Sequence, residues 1–224
     1  MSGGCRALAG QWNNGFKIMR SKYAALIAIS LLATAAGANP LVDGSPEAGQ
    51  AKSATCAACH GPQGRSVNPQ WPSLAGQNAR YLVEQLKAFK EGARSDMLMT
   101  AQAMALSEQD MRDLAIFYAA QAPDPKVGAN PASVATGAAL YRGGDQENRV
   151  AACTACHGPT GQGNPAAAYP MLKGQHATYT ATQLRAYASG ARKSDGPTRI
   201  MREIAARMRE DDIMALASYI QGLK

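Results

Sequence analysis

Two short cysteine–histidine motifs are the part of this 224-residue sequence best suited to chemistry. Residues 56–60 and 153–157 both read C-x-x-C-H, the pattern that attaches haem through two thioether bonds and supplies an adjacent histidine as an iron ligand. Two of the three histidines in the chain stand in this position. The sequence therefore predicts two covalent haem c groups, attached through Cys56, Cys59, Cys153 and Cys156, with His60 and His157 as iron ligands.

Two other uses of paired cysteines account for the motifs less well. Structural zinc sites usually separate their C-x-x-C units by ~15–20 residues, whereas these motifs begin at Cys56 and Cys153. A thioredoxin-like dithiol belongs beside a βαβ pattern, and the sequence has no strand-rich stretch. We therefore expect covalent haem attachment at these cysteines.

An internal repeat selects a second iron ligand in each half. Residues 71–77 (WPSLAGQ) align with 169–175 (YPMLKGQ), and after four extra residues in the second half the register resumes at Asp110 and Asp212. A methionine sulfur is a common second ligand of an electron-transfer haem c. In this register only Met99 and Met201 coincide, so we predict them as the second ligands of the two irons.

His176 is the third histidine, and it aligns with Asn78 in the repeat. A haem with two histidine ligands is the alternative that it offers. We favour a surface or capping position at the start of a helix.

The elements that must position these residues are predicted to be helices. Ser45 followed by Pro46 predicts a helix start just before the first motif, and Ser107 predicts another near the end of the first half. Apolar side chains repeat at helical spacing after Asn78 and in the last segment of each half. The predicted buried positions are Tyr81, Leu82, Leu86, Phe89, Met111, Leu114, Phe117, Tyr118, Ile213, Leu216, Ala217 and Ile220.

A proline-rich segment separates the two halves. Pro123, Pro125 and Gly128 fall within ten residues and are typical of a linker. We therefore predict an all-α fold of two tandem domains, at 39–125 and 126–224, each wrapped around one haem. Domains of this size bury a modest core, and we expect the haem to be the largest apolar object in each.

Residues 1–38 have the features of an export signal. Lys17, Arg20 and Lys22 precede an apolar run at 24–33, and small residues at 36–38 offer a cleavage site. The run is about half of the ~20 residues that a bilayer-spanning helix needs. We therefore expect residues 1–38 to be a signal peptide. Export would place the cysteines in an oxidising compartment, where haem attachment protects them from pairing.

Loss of this segment leaves a chain that is only weakly basic. Residues 39–224 carry 19 basic and 16 acidic side chains, which argues against nucleic-acid binding. The charge is uneven, because residues 39–125 have a net charge of −2 and residues 126–224 one of +5. We expect an acidic partner surface to meet the second half first, near Arg192, Lys193, Arg199 and Arg202.

The sequence resembles the dihaem cytochrome c4 family, in which two class I cytochrome c domains follow one another. The resemblance covers about 44–224 and rests on three features of each half: C-x-x-C-H-G, a Pro-x-Leu-x-Gly-Gln segment, and a late methionine before a terminal helix. It implies that the carbonyls of Pro72 and Pro170 orient the histidine rings.

The resemblance also implies the ligand pairs His60 with Met99 and His157 with Met201. Met97 and Met104 flank the first-half methionine, and each is an alternative to it.

By the same resemblance, we expect a periplasmic electron carrier, soluble or loosely membrane-associated, with no enzymatic activity. It would accept electrons from a quinol-oxidising bc complex or a dehydrogenase and pass them to a terminal oxidase or reductase. Two alternatives use the same motifs. One is a dihaem peroxidase, which needs an open iron and polar distal groups, and the other is the cytochrome subunit of a periplasmic dehydrogenase.

Overall fold

The computed structural model describes residues 41–224, and the predicted signal peptide lies outside them. Over these residues the fold is helical, with ten α-helices and no strand. Two isolated β-bridges join Asp145 to Val150 and Asn164 to Tyr169. No helix in this part of the chain is long and apolar enough to cross a membrane. The predicted all-α fold is confirmed.

The first half contains five of the helices. They are α1 (Pro46–Lys52), α2 (Ala54–His60), α3 (Ala79–Glu91), α4 (Met97–Met104) and α5 (Glu108–Ala119). Both predicted serine caps are present. Ser45 Oγ accepts from the N–H of Ala48 at 3.1 Å, and Ser107 forms a capping box with Asp110.

The second half repeats this order with five more helices. They are α6 (Val134–Gly143), α7 (Thr154–His157), α8 (Ala177–Ala188), α9 (Ile200–Ala205) and α10 (Glu210–Gly222). The repeat predicted from sequence thus pairs α3 with α8, α4 with α9, and α5 with α10.

The core of each half lies where the last helix packs against the first and the central one. In the first half α5 contacts α1 and α3, and in the second α10 contacts α6 and α8. Most of the predicted core positions are buried, and Tyr81 and Leu86 are half-buried. Glycine permits the closest approach: a Cβ on Gly49 would lie 2.1 Å from Asp113 O, and one on Gly137 would lie 2.2 Å from Ala215 O.

The predicted linker has no helix between residues 121 and 130. It is tied to both halves, because Arg65 Nε donates to Ala122 O at 3.0 Å and Gln221 Nε2 donates to Val127 O at 2.8 Å. The described residues belong to one compact unit. The domain boundary between 125 and 126 falls inside this segment and stays a prediction.

Candidate haem sites

Each C-x-x-C-H motif lies on a short helix that gathers its side chains on one face. Helix α2 contains the whole first motif, and α7 begins immediately after Cys153. In a helix, residues three and four apart are neighbours, so the two cysteines and the histidine point the same way. The four cysteines are free and half-buried, and Cys56 and Cys153 each pack against the core of their half.

A glycine ends each motif helix. Gly61 and Gly158 have φ values of 78° and 77°, a conformation that side-chain-bearing residues rarely adopt. A Cβ on Gly61 would also lie 2.1 Å from Arg65 O. This requirement explains the glycine that follows both histidines.

Both motif histidines are oriented by a proline carbonyl. His60 Nδ1 lies 2.8 Å from Pro72 O, and His157 Nδ1 lies 2.9 Å from Pro170 O. Because a carbonyl only accepts, Nδ1 carries the proton and Nε2 keeps a free lone pair. Both rings are 6% exposed, and this burial lowers the pKa of each imidazole. Neutral histidines of this tautomer are suited to bind iron.

The methionines of α4 differ in exposure. Met97 is 87% exposed and Met104 is 57% exposed, whereas Met99 is half-buried and its N–H donates to Asp96 Oδ1 at 2.9 Å. These positions disfavour both alternatives to Met99. In the second half Met201 packs against the core cluster. The ligand roles of Met99 and Met201 stay predictions.

The four extra residues of the second half fall in a seven-residue loop at 193–199, which is held by an ion pair. Asp195 accepts from Arg202 Nε at 2.7 Å and from Arg202 N at 3.0 Å. An aspartate thus fixes the start of both methionine-bearing helices, although its spacing from the methionine differs. Sequence reasoning missed this device because the insertion hides the match between Asp96 and Asp195.

Two arginines, one from each half, are buried at the contact between the halves. Arg94 is 8% exposed and Arg192 is 4% exposed. They share the side-chain oxygens of Gln85 and Gln183, at N–O distances of 2.7–3.0 Å. Each also reaches a tyrosine hydroxyl of the opposite half, Arg94 to Tyr179 at 2.6 Å and Arg192 to Tyr81 at 2.8 Å.

This arginine pair supplies a test of fit for haem. Within residues 41–224 neither guanidinium has a carboxylate partner, since their hydrogen bonds go to neutral groups and neither forms an ion pair. Burying cations without counter-ions costs free energy of folding. A bound anion beside the two arginines would offset this cost. Haem carries two propionate carboxylates, and the donor set fits such a group. The repeated Gly-Ala-Arg at 92–94 and 190–192 marks both arginines in the sequence. From the sequence alone, however, they were not predicted to be buried or to suit an anion.

The predicted docking residues need correction. Arg192 is buried between the halves, and Arg202 is paired with Asp195. Neither is free to meet a partner, so the prediction is wrong for both. Lys193 is exposed, and so is Arg199, which lies 3.4 Å from Glu203.

His176 occupies the N-cap position at the start of α8, as predicted, but it does not lie on the surface and its side chain makes no capping hydrogen bond. It is 7% exposed, and its Nε2 donates to Ser66 O of the first half at 2.8 Å. That bond uses the nitrogen that an iron would need. The structure therefore disfavours the bis-histidine alternative and makes this residue part of the contact between the halves.

Comparisons with known proteins agree with this arrangement. The family model for cytochrome c matches residues 46–118 and 134–224. Cytochrome c4 of Pseudomonas aeruginosa is 48% identical over 180 residues, covering 80% of this chain and 89% of that protein. The crystal structure of reduced recombinant cytochrome c4 from Pseudomonas stutzeri matches with a TM-score of 0.79 and 44% identity, covering 81% of this chain and 100% of that one.

A further relative is named for the enzyme from which it accepts electrons. The thiosulfate dehydrogenase electron acceptor of Stutzerimonas stutzeri strain A1501 is 39% identical over 171 residues, covering 75% of this chain and 78% of that protein.

Proposed function

The chain belongs to the cytochrome c4 family of dihaem electron carriers, and from that premise we propose a ligand set, a location and partners for it. It binds two covalent haem c groups and is an electron-transfer protein, not an enzyme. Bound haem supplies an iron that gains and loses one electron. We propose that His60 and Met99 ligate the first iron and that His157 and Met201 ligate the second.

The observation that carries the ligand assignment is the fixed tautomer of the two histidines. The Pro72 and Pro170 carbonyls hold the Nδ1 protons and leave Nε2 free to bind iron. A carbonyl partner also makes the imidazole a stronger donor. The four cysteines would bind the haems covalently beside these rings, which would hold each histidine and its iron together in both oxidation states.

Met99 and Met201 would complete the coordination of the two irons. With a histidine and a methionine bound, an iron would not have to gain or lose a ligand when its oxidation state changes, which would suit rapid electron transfer. The same coordination would work against peroxidase chemistry, because it would leave no position open to peroxide. Thioether ligation also raises the reduction potential relative to a bis-histidine haem.

The proposed location is the periplasm, with the chain soluble or loosely membrane-associated. The export features of residues 1–38 support it. The proposed donor is a quinol-oxidising bc complex or a dehydrogenase, and the proposed acceptor is a terminal oxidase or reductase. A second candidate function is that of the electron-accepting subunit of a periplasmic dehydrogenase. The relative named as a thiosulfate dehydrogenase electron acceptor supports it.

The test begins with protein purified from the periplasm. The mass should equal residues 39–224 plus two haems, and the reduced spectrum should be that of low-spin haem c. Stopped-flow reduction by a purified bc complex and by a thiosulfate dehydrogenase would then rank the donors. Rapid binding of carbon monoxide to the reduced protein at neutral pH would contradict the filled coordination.

A further inference from the structure

The peptide unit that orients His60 is held at its other end by the opposite half of the chain. The carbonyl of Pro72 accepts from His60 Nδ1, and the N–H of the same peptide unit belongs to Ser73. That N–H donates to Gln175 Oε1 at 3.0 Å. A continuous line of hydrogen bonds therefore runs from the first-half histidine to a second-half glutamine.

The second half has the reciprocal arrangement. The carbonyl of Pro170 accepts from His157 Nδ1, and the N–H of Met171 donates to Gln77 Oε1 at 2.7 Å. Here the glutamine comes from the first half.

Both glutamines are fixed by further bonds. Gln175 Nε2 donates to Ser73 O at 2.9 Å, and Gln77 Nε2 donates to Met171 O at 2.9 Å. Each amide thus pairs with both backbone groups of one residue, which determines its orientation. Each Oε1 also accepts the N–H at the start of a helix in its own half, from Asn78 at 2.9 Å or His176 at 3.0 Å.

We propose that Gln77 and Gln175 are positioning residues, each acting on the histidine ligand of the opposite half, so that each haem potential depends on a glutamine from the other domain. The inference rests on the proposed ligation by His60 and His157. Its distinguishing feature is the crossed direction of the effect.

The physical basis is the mutual polarisation of linked hydrogen bonds. When the N–H of a peptide unit donates to glutamine, its carbonyl becomes more negative and accepts more strongly from the imidazole N–H. The imidazole then donates more strongly to the metal. A stronger donor favours ferric iron, so each glutamine lowers the potential of the opposite haem.

The test uses Gln175→Leu and Gln77→Leu singly in the full dihaem protein. The potentials of the two haems are measured separately, and the histidine Nδ1–H signals are followed by NMR in the reduced protein. Gln175→Leu should raise the potential of the His60 haem and move the His60 signal while leaving that of His157 in place. Gln77→Leu should do the reverse. We expect a shift of up to about tenfold in the electron distribution between the haems, the low end of the effects that outer-shell partners have on metal sites, where tenfold corresponds to 59 mV for one electron.

Gln221→Leu is the matched control, because it makes the same neutral substitution at a third glutamine. Gln221 Nε2 donates to Val127 O at 2.8 Å and its Oε1 accepts from Ala177 N at 2.9 Å. It has no hydrogen bond to either proline peptide, so both potentials and both signals should stay unchanged. If a leucine variant loses haem, the corresponding Gln→Met variant replaces it. Methionine keeps the side-chain length without the amide hydrogen bonds, and the same shifts are expected. Equal shifts in both haems, a shift confined to the variant's own half, or no shift would overturn the inference. Fewer than two haems in the unaltered protein would instead contradict the proposed function.

Discussion

Met99 differs from the other methionines of α4 in being half-buried, and this difference can be tested directly. Met99→Ala should remove about half of the near-infrared band that marks sulfur bound to ferric iron, because one of two Fe–S bonds is lost. Met104→Ala is the control, since that side chain is 57% exposed and should leave the band intact. Loss of the band in the control variant alone would show that Met104 is the first-half ligand.

His176 is the residue from which we expect a pH dependence of stability. Burial lowers its pKa below 6.5, and Lys126 acts in the same direction while Asp124 and the bond to Ser66 oppose it. The folded chain therefore binds a proton less readily than the unfolded chain. Its contribution to stability is complete above about pH 6.5 and falls as the pH drops below that value.

The measurement is the thermal midpoint of the dihaem protein between pH 8 and pH 5. His176→Asn, which copies Asn78 of the first half, should flatten the fall below pH 6.5, although loss of the bond to Ser66 lowers stability by about 1 kcal/mol at every pH. An unchanged slope in this variant would assign the pH dependence to other groups.

At the scale of elements, the close crossings of α1 with α5 and of α6 with α10 depend on glycine. Gly49→Ala would push a methyl group into the backbone of α5, because the nearest atom lies 2.1 Å away. We expect a loss of about 1–3 kcal/mol or more in the free energy of unfolding, measured with denaturant. Gly143→Ala on α6 is the control, since nothing lies within 4 Å of its Cβ position. Equal stability of the two variants would show that the helices can separate at little cost.

Features that depend on residues close together in the chain could be predicted from the sequence. Features that depend on packing against the other half could not. The Ser45 and Ser107 caps, the two haem motifs and the buried face of α5 depend on residues a few positions apart. Arg192 and His176 are different, because their burial is created by packing against a segment about 110 residues away. Arg192 and Lys193 are adjacent basic residues, and only the contact between the halves separates a buried one from an exposed one. The identical Gln77 and Gln175 marked this contact in the sequence, but their partners were not visible there.

At the scale of the whole molecule, the uneven charge predicts electrostatic steering. The first half carries −2 and the second half +5, and the exposed Lys193 lies on the basic half. Electron transfer to an acidic acceptor should slow markedly between ionic strengths of 0.01 M and 0.15 M, as the Debye length falls from ~30 Å to ~8 Å. Stopped-flow kinetics measure this rate.

Lys193→Glu should slow the encounter more than Lys90→Glu, which reverses an exposed charge on the first half. A rate indifferent to salt would exclude docking through the second half.

The contacts between the halves come in matched sets: Gln77 binds Met171 and Gln175 binds Ser73, while Arg94 and Arg192 exchange the same kinds of partner. A surface in which residue i contacts j and j contacts i is the isologous interface of a two-fold homodimer. The described part of the chain thus holds, inside one polypeptide, the kind of contact that a two-fold homodimer forms between two copies. The symmetry is not complete, because Asn78 and His176 occupy equivalent positions and donate to different partners across the contact, Tyr169 O and Ser66 O.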